Sequence, residues 1–152
     1  MKKPQALADM PGHRIRRLQQ IAVAIFLQDT AAFGITPIQY AALRAVSDHP
    51  GIDQRTLAGR IGLDVSTLGG VVDRLATRGW LKRGPSPDDR RVKLLTITAK
   101  GRKLLSQLEP AVARSQERIL APLPKARRAE FAAMLALLVE ANNGHSRAPV
   151  PD

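Results

Sequence analysis

Apolar residues recur every three or four positions along most of the chain, which is the spacing of amphipathic helices. The first such stretch runs from Gly12 to about Ala32 and carries the apolar residues Ile15, Leu18, Ala22, Ile25 and Phe26. Three further apolar residues widen the stripe beyond a single packing face: Val23, Ala24 and Leu27. The pattern predicts a helix that is buried on most of its circumference, in a core or against a second chain.

The next part of the chain contains two short helices with their own start and stop signals. Thr36 and Pro37 form a cap and first-turn pair, and the helix that follows is predicted to run to about Asp48. Asp53 is expected to cap another helix, which Gly62 ends after about two turns.

A third short helix follows directly, with Asp64 as its cap and Gly79 as its stop. Its apolar residues are expected to face inward: Val65, Leu68, Val72 and Leu75. Its other face carries small and polar residues: Ser66, Thr67, Gly69, Gly70, Asp73 and Arg74. Two short helices joined by Gly-Leu-Asp are typical of a helix-turn-helix, whose second helix enters a DNA major groove.

A β-hairpin is predicted after the third helix. The segments WLKRG and RVKLLTIT read as strands, and SPDD between them has turn chemistry. A hairpin in this place makes the unit a winged helix-turn-helix and places Arg90 and Arg91 at the tip of the wing. Guanidinium groups there can enter a narrow minor groove or contact phosphates.

Two further helices are predicted beyond the wing, the first a long helix capped by Thr98 and kinked at Pro110. The last helix carries Phe131, Met134, Leu135 and Leu138 on one side. The first and last helices together have more apolar surface than a small winged-helix core can cover. The sequence therefore predicts a homodimer.

The predicted fold class is mainly α with a small β-hairpin wing. We expect one domain with dimerisation helices at 12–34 and 102–142, a DNA-binding lobe at 35–101, and flexible ends at 1–11 and 143–152.

Charge supports a polyanionic partner. The chain has 24 Lys and Arg against 13 Asp and Glu, a net charge of +11. Between Arg55 and Lys103 there are twelve basic and four acidic residues, so +8 of this charge lies in about a third of the chain. Double-stranded DNA is therefore the expected partner.

Other classes of function lack their residues. The chain has no cysteine, which excludes disulfides, a thiol nucleophile and thiol-based redox sensing. The three histidines are too scattered for a metal site, and no cofactor is expected. No catalytic motif occurs, so we do not expect an enzyme. The apolar runs are too short to span a membrane, and the start does not read as a signal peptide, which favours the cytoplasm.

Three motifs resemble the MarR family of bacterial transcription regulators. The family's wing signature, D-x-R-x-x-x-L-x-L-T-x-x-G, is matched by Asp89, Arg91, Leu95, Ile97, Thr98 and Gly101, with Ile97 in place of a leucine. STLGGVVDRLATRGWLKR is similar to the family's recognition segment, and TPIQYAAL to the start of its second helix. The resemblance covers roughly residues 12–142.

The resemblance implies a two-fold dimer that represses transcription from a palindromic operator. It also implies that Asp89 holds Arg91 in position. Many members are released from DNA by small, often aromatic, anionic ligands that bind between the DNA-binding lobe and the dimerisation helices. An aromatic acid, a phenol or an acyl-CoA would fit this description, and so would the absence of an effector.

These arguments select two groups of candidate residues. Those expected at DNA are Arg55, Ser66, Thr67, Gly69, Gly70, Arg74, Asp89, Arg90, Arg91 and Lys93. Those near the family's ligand pocket are His13, Arg16, Arg17 and Tyr40. Exposed charges of an amphipathic helix are the favoured explanation of His13, Arg16 and Arg17, and packing in the core or an interface explains Tyr40 just as well.

Three alternatives stay open at this point. Gly69 and Gly70 depart from the larger polar residues of many relatives, and they serve either close approach to DNA or tight helix packing. Arg74 either meets a phosphate or pairs with an acidic group on its own helix. The whole chain could also be an architectural protein that binds DNA without sequence preference.

Overall fold

The helices and strands follow the predicted order. A computed structural model describes residues 4–146 and Pro149. Within those residues the α-helices are α1 Pro11–Asp29, α2 Pro37–Asp48, α3 Gln54–Ile61, α4 Val65–Thr77, α5 Ala99–Leu120 and α6 Lys125–Ala141. The strands are β1 Ile52–Asp53, β2 Leu81–Pro85 and β3 Lys93–Ile97. Short 3₁₀ turns cover Leu7–Asp9, Ala31–Phe33 and Asn143–His145.

The predicted caps start their helices. Thr36 forms a capping box with Gln39, in which each side chain accepts a hydrogen bond from the other residue's backbone N–H. Asp53, Asp64 and Thr98 each accept a backbone N–H three residues later. These bonds satisfy N–H groups that a helix leaves unpaired at its start, so the boundaries of α2 to α5 are fixed locally.

The wing is a hairpin with one additional strand. β2 and β3 pair antiparallel, with Leu81 opposite Ile97 and Pro85 opposite Lys93. β1 pairs with the other edge of β3, with Ile52 opposite Leu95. Sequence reasoning did not predict β1, because two residues are too few to show an alternating pattern.

One hydrophobic core joins α4 to the wing and to α5. Its fully buried members include Leu43, Leu57, Leu68, Val72, Leu75, Leu95 and Leu108. The inward prediction for Leu68, Val72 and Leu75 is confirmed. The prediction for Val65 is wrong, since its side chain is 49% exposed. As the first residue of α4, Val65 lies beside the groove towards the wing.

Two helices present apolar faces that this chain leaves uncovered. α6 has no buried residue, and its exposed apolar side chains are Met134, Leu135, Leu137, Leu138 and Val139. The first half of α1 likewise exposes Ile15, Leu18 and Ile21. The rest of α1 packs on α5, where Arg118 bonds to Asp29 and Gln28 at 2.7 and 2.9 Å.

The ends show some local structure. Arg14 donates to the carbonyl of Ala8 at 2.7 Å and pairs with Asp9, which ties the Leu7–Asp9 turn to α1. The parts of the predicted flexible ends at 1–3, 147–148 and 150–152 lie outside the described residues. Flexibility of the two ends stays a prediction.

Gly101 provides a test of how tightly α5 meets the wing. A Cβ at this position would overlap the carbonyl oxygen of Trp80 and lie 2.8 Å from Cγ1 of Ile97. We therefore expect Gly101→Ala to lower the free energy of unfolding by about 3 kcal/mol, at the upper end of overpacking costs. Urea denaturation at fixed protein concentration measures this change.

Gly84→Ala is the matched control, because a Cβ on that wing residue would meet nothing within 4 Å. It should unfold at nearly the wild-type urea concentration. Equal stability of the two variants would contradict the packing described for Gly101.

Candidate nucleic-acid interface

Most residues on the outward face of α4 have a short side chain or none, and Arg74 is the long one. Ser66, Thr67 and Arg74 are exposed, and Gly69 and Gly70 are half-buried. Thr67 donates its hydroxyl proton to the carboxylate of Asp64 at 2.8 Å. That bond leaves the lone pairs of the Thr67 oxygen as acceptors, a suitable partner for an amino group on a base edge.

The two glycines of α4 have room for a side chain. A Cβ on Gly69 or on Gly70 would find no atom within 4 Å. Tight packing inside this chain therefore does not explain them. Of the two interpretations made from the sequence, close approach of an outside partner to the helix backbone is the one that agrees with this geometry.

The wing tip is a closed turn that displays both arginines. The N–H of Val92 donates to the carbonyl of Asp89 at 3.0 Å, so Arg90 and Arg91 occupy the two central positions of a β-turn. Oδ1 of Asp89 accepts the backbone N–H of Arg91 at 2.9 Å, which makes an Asx-turn. Asp89 thus holds the backbone of Arg91, and neither tip guanidinium makes an ion pair within the described residues.

A groove separates the start of α3 from the wing. Its volume is about 520 Å³, and its lining includes Arg55, Val65, Arg91 and Lys93. The groove brings residues of α3, α4 and β3 together, among them Arg55 and Lys93, two of the candidates at DNA. Three cations border a space open to a phosphate backbone.

One carboxylate also borders this groove. Burial alone would raise the pKa of Asp53, but hydrogen bonds from the backbone N–H and the hydroxyl of Thr56, together with the backbone N–H groups of Asp53 and Arg55, outweigh it and lower that pKa below its ordinary value. Asp53 is therefore an ionised cap of α3, held by Thr56 at 2.8 and 2.7 Å.

Arg83 is a residue that sequence reasoning missed. Its guanidinium pairs with Asp73 on α4 and donates to Oε1 of Gln54 on α3 at 3.1 Å. These contacts join β2 to both helices of the helix-turn-helix. No spacing rule signals them, since the partners are 10 and 29 residues away.

Arg74 is left available by this arrangement. Its neighbour Asp73 is engaged by Arg83, and Arg74 makes no ion pair in the part of the chain that the structure describes. The alternative in which Arg74 pairs along its own helix is not what the structure contains. Its exposed guanidinium can reach outward.

The four candidate ligand residues do not form one cluster in a single chain. His13, Arg16 and Arg17 lie near the start of α1, where Nη2 of Arg16 is 3.5 Å from Nδ1 of His13. Tyr40 packs on Phe26, with ring centroids 5.7 Å apart. Arg17 precedes Phe26 by nine residues, about 13 Å along the helix axis.

The described residues also lack two other features, a metal site and a membrane-spanning helix. No group of three or more His, Asp or Glu side chains there could hold a metal ion. No described helix combines the length and the apolar character needed to cross a membrane.

Comparison with known proteins identifies the family. The model of the MarR family matches residues 33–92, which include α2 to α4 and most of the wing. The PcaV transcriptional regulator from Streptomyces coelicolor, solved with its natural ligand, is 37% identical, with a TM-score of 0.82 over 92% of this chain and 99% of PcaV. The chain belongs to the MarR family.

Two more solved structures place MarR-family proteins at DNA and at a ligand. The transcriptional repressor CouR, bound to a 23-mer DNA duplex, is 30% identical, with a TM-score of 0.84 over 91% of this chain and 99% of CouR. BpsR from Bordetella bronchiseptica, whose DNA binding is regulated by 6-hydroxynicotinic acid, is 29% identical, with a TM-score of 0.84 over 90% and 97% of the two chains. The family consists of DNA-binding transcription regulators rather than enzymes, as predicted.

Gly70 allows the open face of α4 to be tested. Because alanine favours helix and its Cβ has space here, we expect Gly70→Ala to raise the free energy of unfolding by about 1 kcal/mol. The added methyl group should at the same time weaken binding to specific DNA. Urea denaturation and a DNA titration measure the two effects.

Gly12→Ala in α1 is the control, since its Cβ would also meet nothing within 4 Å and it lies outside the helix-turn-helix. DNA affinity should be unchanged in that variant. If Gly70→Ala bound DNA as tightly as the wild type, close approach to the backbone would be the wrong explanation.

Proposed function

We propose that this MarR-family regulator is a homodimeric repressor that reads an inverted repeat. In each subunit α4 enters a major groove, and Arg90 and Arg91 enter the adjacent minor groove. The observation that carries this proposal is the groove that joins α3, the start of α4 and the wing along one basic surface. The duplex bound by CouR supports the same use of the fold.

The division of labour between residues follows from their chemistry. Ser66 and Thr67 are the side chains short enough to meet base edges while Gly69 and Gly70 admit the helix deeply. Phosphates suit the guanidinium groups of Arg55 and Arg74 and the ammonium group of Lys93. Asp89 contributes by shaping the wing tip.

Dimerisation through the terminal helices is the second part of the proposal. The exposed apolar residues of α1 and α6 form faces that another copy of the chain would cover. Residues 12–34 and 102–142 would then build the dimer, and residues 35–101 would be the lobe that binds DNA. Two lobes related by two-fold symmetry match a palindromic operator.

An aromatic acid is the effector class we propose. PcaV was solved with its natural ligand, and 6-hydroxynicotinic acid regulates BpsR. Arg16, Arg17 and His13 would receive the anionic group, and Tyr40 would meet an aromatic ring. Because one chain keeps Tyr40 apart from these cations, the two groups would act at separate points of the bound molecule or in separate subunits.

The experiment that tests the proposal is a footprint on the DNA upstream of the protein's own gene, with a panel of aromatic acids, phenols and acyl-CoA thioesters. 6-Hydroxynicotinic acid belongs in the panel. A protected inverted repeat that one compound releases is the expected result. Protection that no compound relieves would leave the DNA-binding part and remove the effector part.

A non-specific architectural role is the second candidate. The observation that favours it is the pair of glycines in α4, which leaves few side chains to read bases. Binding everywhere, abolished by competitor DNA and without a footprint, would support that role and contradict the repressor.

Arg91→Ala tests the wing. Loss of a guanidinium from the tip should weaken operator binding by about 1–3 kcal/mol and leave the unfolding transition unchanged. If the dimer neutralises about 8 phosphates, the wild type should show a slope near −7 for log K against log salt, and the variant a shallower one. Fluorescence anisotropy across a salt series measures both quantities.

Arg44→Ala serves as the control, because that arginine pairs with Asp48 on its own helix, α2, and is not one of the candidates at DNA. It should bind like the wild type. Unchanged affinity in Arg91→Ala would show that the wing tip makes no contact with DNA.

Leu135→Asp tests the dimer. Leu135 is 41% exposed in the single chain, and a carboxylate placed in an apolar interface would be strongly unfavourable. We expect the dimer dissociation constant to rise by about 100-fold or more, equivalent to about 2.7 kcal/mol, with DNA binding lost in step. Analytical ultracentrifugation measures the change.

Ala126→Asp is the matched control, since residue 126 is exposed and lies nine residues, or two and a half helical turns, before Leu135 on the opposite side of α6. That variant should remain dimeric. A dimeric and active Leu135→Asp variant would exclude this face of α6 from the interface.

A further inference from the structure

Arg78 joins the end of α4 to the link between α1 and α2. It follows the last turn of α4, and its guanidinium donates to the carbonyl of Gly34 at 2.7 Å and to that of Phe33 at 3.4 Å. Both carbonyls belong to the link between α1 and α2. The end of the recognition helix is therefore bonded to the point where α1 leads into α2.

The same guanidinium lies over the ring of the only tryptophan of the chain. Cζ of Arg78 lies 3.9 Å from the centroid of the Trp80 ring, and Trp80 is 5% exposed. A cation over an indole face is an attractive contact. Stacking on a ring while donating to two carbonyls requires a planar fork, which lysine does not have.

The acceptors of Arg78 are themselves fixed. Gly34 has a φ of +60°, a conformation that glycine adopts without strain, and a Cβ there would lie 3.5 Å from Nη1 of Arg78. On the other side, Nζ of Lys100 in α5 donates to the backbone carbonyl of Arg78 at 2.9 Å. Arg78 thus lies between the end of α4, the start of α5 and the link between α1 and α2.

We propose that Arg78 is a positioning residue that sets the orientation of α4 against α1 and α5 and acts on DNA affinity without touching DNA. The inference deepens the proposed function and rests on it.

A direct phosphate contact is the competing explanation, because Arg78 is exposed in a basic lobe. The two roles differ in their salt dependence. A lost phosphate contact makes the slope of log K against log salt shallower by about 1, and a lysine restores such a contact as a point charge. If Arg78 instead positions α4, its loss lowers the affinity for DNA at every salt concentration, and a lysine at this position does not restore that affinity.

The experiment compares Arg78→Ala and Arg78→Lys with the wild type in the full chain. We expect both variants to bind the operator about tenfold more weakly, equivalent to about 1.4 kcal/mol, with the wild-type salt slope. Trp80 emission, recorded without DNA, should change in both variants, because the stacked cation is lost or displaced. Circular dichroism checks that each variant is folded.

Arg74→Ala is the matched control on the same helix. It should lose about one unit of salt slope and keep the wild-type Trp80 emission. A wild-type affinity in Arg78→Lys, together with a shallower slope in Arg78→Ala, would overturn the positioning role in favour of a phosphate contact. Wild-type affinity in both variants would overturn it as well.

The footprint and the Trp80 emission distinguish a failure of the proposed function from a failure of this inference. If the wild type protects no operator, the repressor proposal fails while the emission measurement still reports on the Arg78 junction. Unchanged Trp80 emission in Arg78→Ala would then overturn the junction itself, and changed emission would support it.

Discussion

The packing around the backbone of Trp80 is the constraint on which the arrangement of the molecule depends. Its carbonyl oxygen accepts the N–H of Thr98 at 3.1 Å and lies directly against Gly101. Thr98 in turn donates its hydroxyl to the carbonyl of Gly79 at 2.6 Å. The end of α4, the start of β2 and the start of α5 therefore meet with no space for a side chain between them, so the long helix α5 is rigidly joined to the winged helix-turn-helix.

The proposed DNA-binding surface depends on short-range bonds that display charge at little conformational cost. The Asp89 turn closes the wing tip within four residues, so Arg90 and Arg91 project from a defined backbone. Arg83 fixes the base of the wing to α3 and α4 by pairing with Asp73. A surface organised before binding loses less entropy when DNA arrives.

Much of this architecture is readable from the sequence because its signals are local. Thr36, Asp53, Asp64 and Thr98 are caps whose partners lie three residues away, and they mark the helix starts correctly. Contacts between distant residues leave no such signal, and for that reason Arg83 and β1 were missed. Val65 was misplaced because periodicity assigns a helix face but not the uncovered first turn of that helix.

The role of each candidate at DNA is less predictable than its location. Sequence similarity implied that Asp89 holds Arg91, and the structure refines this to the backbone N–H of Arg91. From the sequence, the two glycines of α4 are explained either by close approach to DNA or by tight helix packing. The empty space around their Cβ positions agrees with close approach. The sequence predicted Tyr40 and the cations of α1 as one group of ligand-binding candidates, and the fold places Tyr40 apart from those cations.

The central claim is that two copies of α4 read two half-sites on one face of the duplex. The most direct measurement is the affinity for an operator in which five base pairs are inserted between the half-sites, compared with an insertion of ten. Half a helical turn moves the half-sites to opposite faces, and a full turn restores their alignment at a longer distance. The account predicts that the five-base-pair insertion reduces binding to the level of a single half-site. Equal affinity for the original and the five-base-pair operator would contradict it.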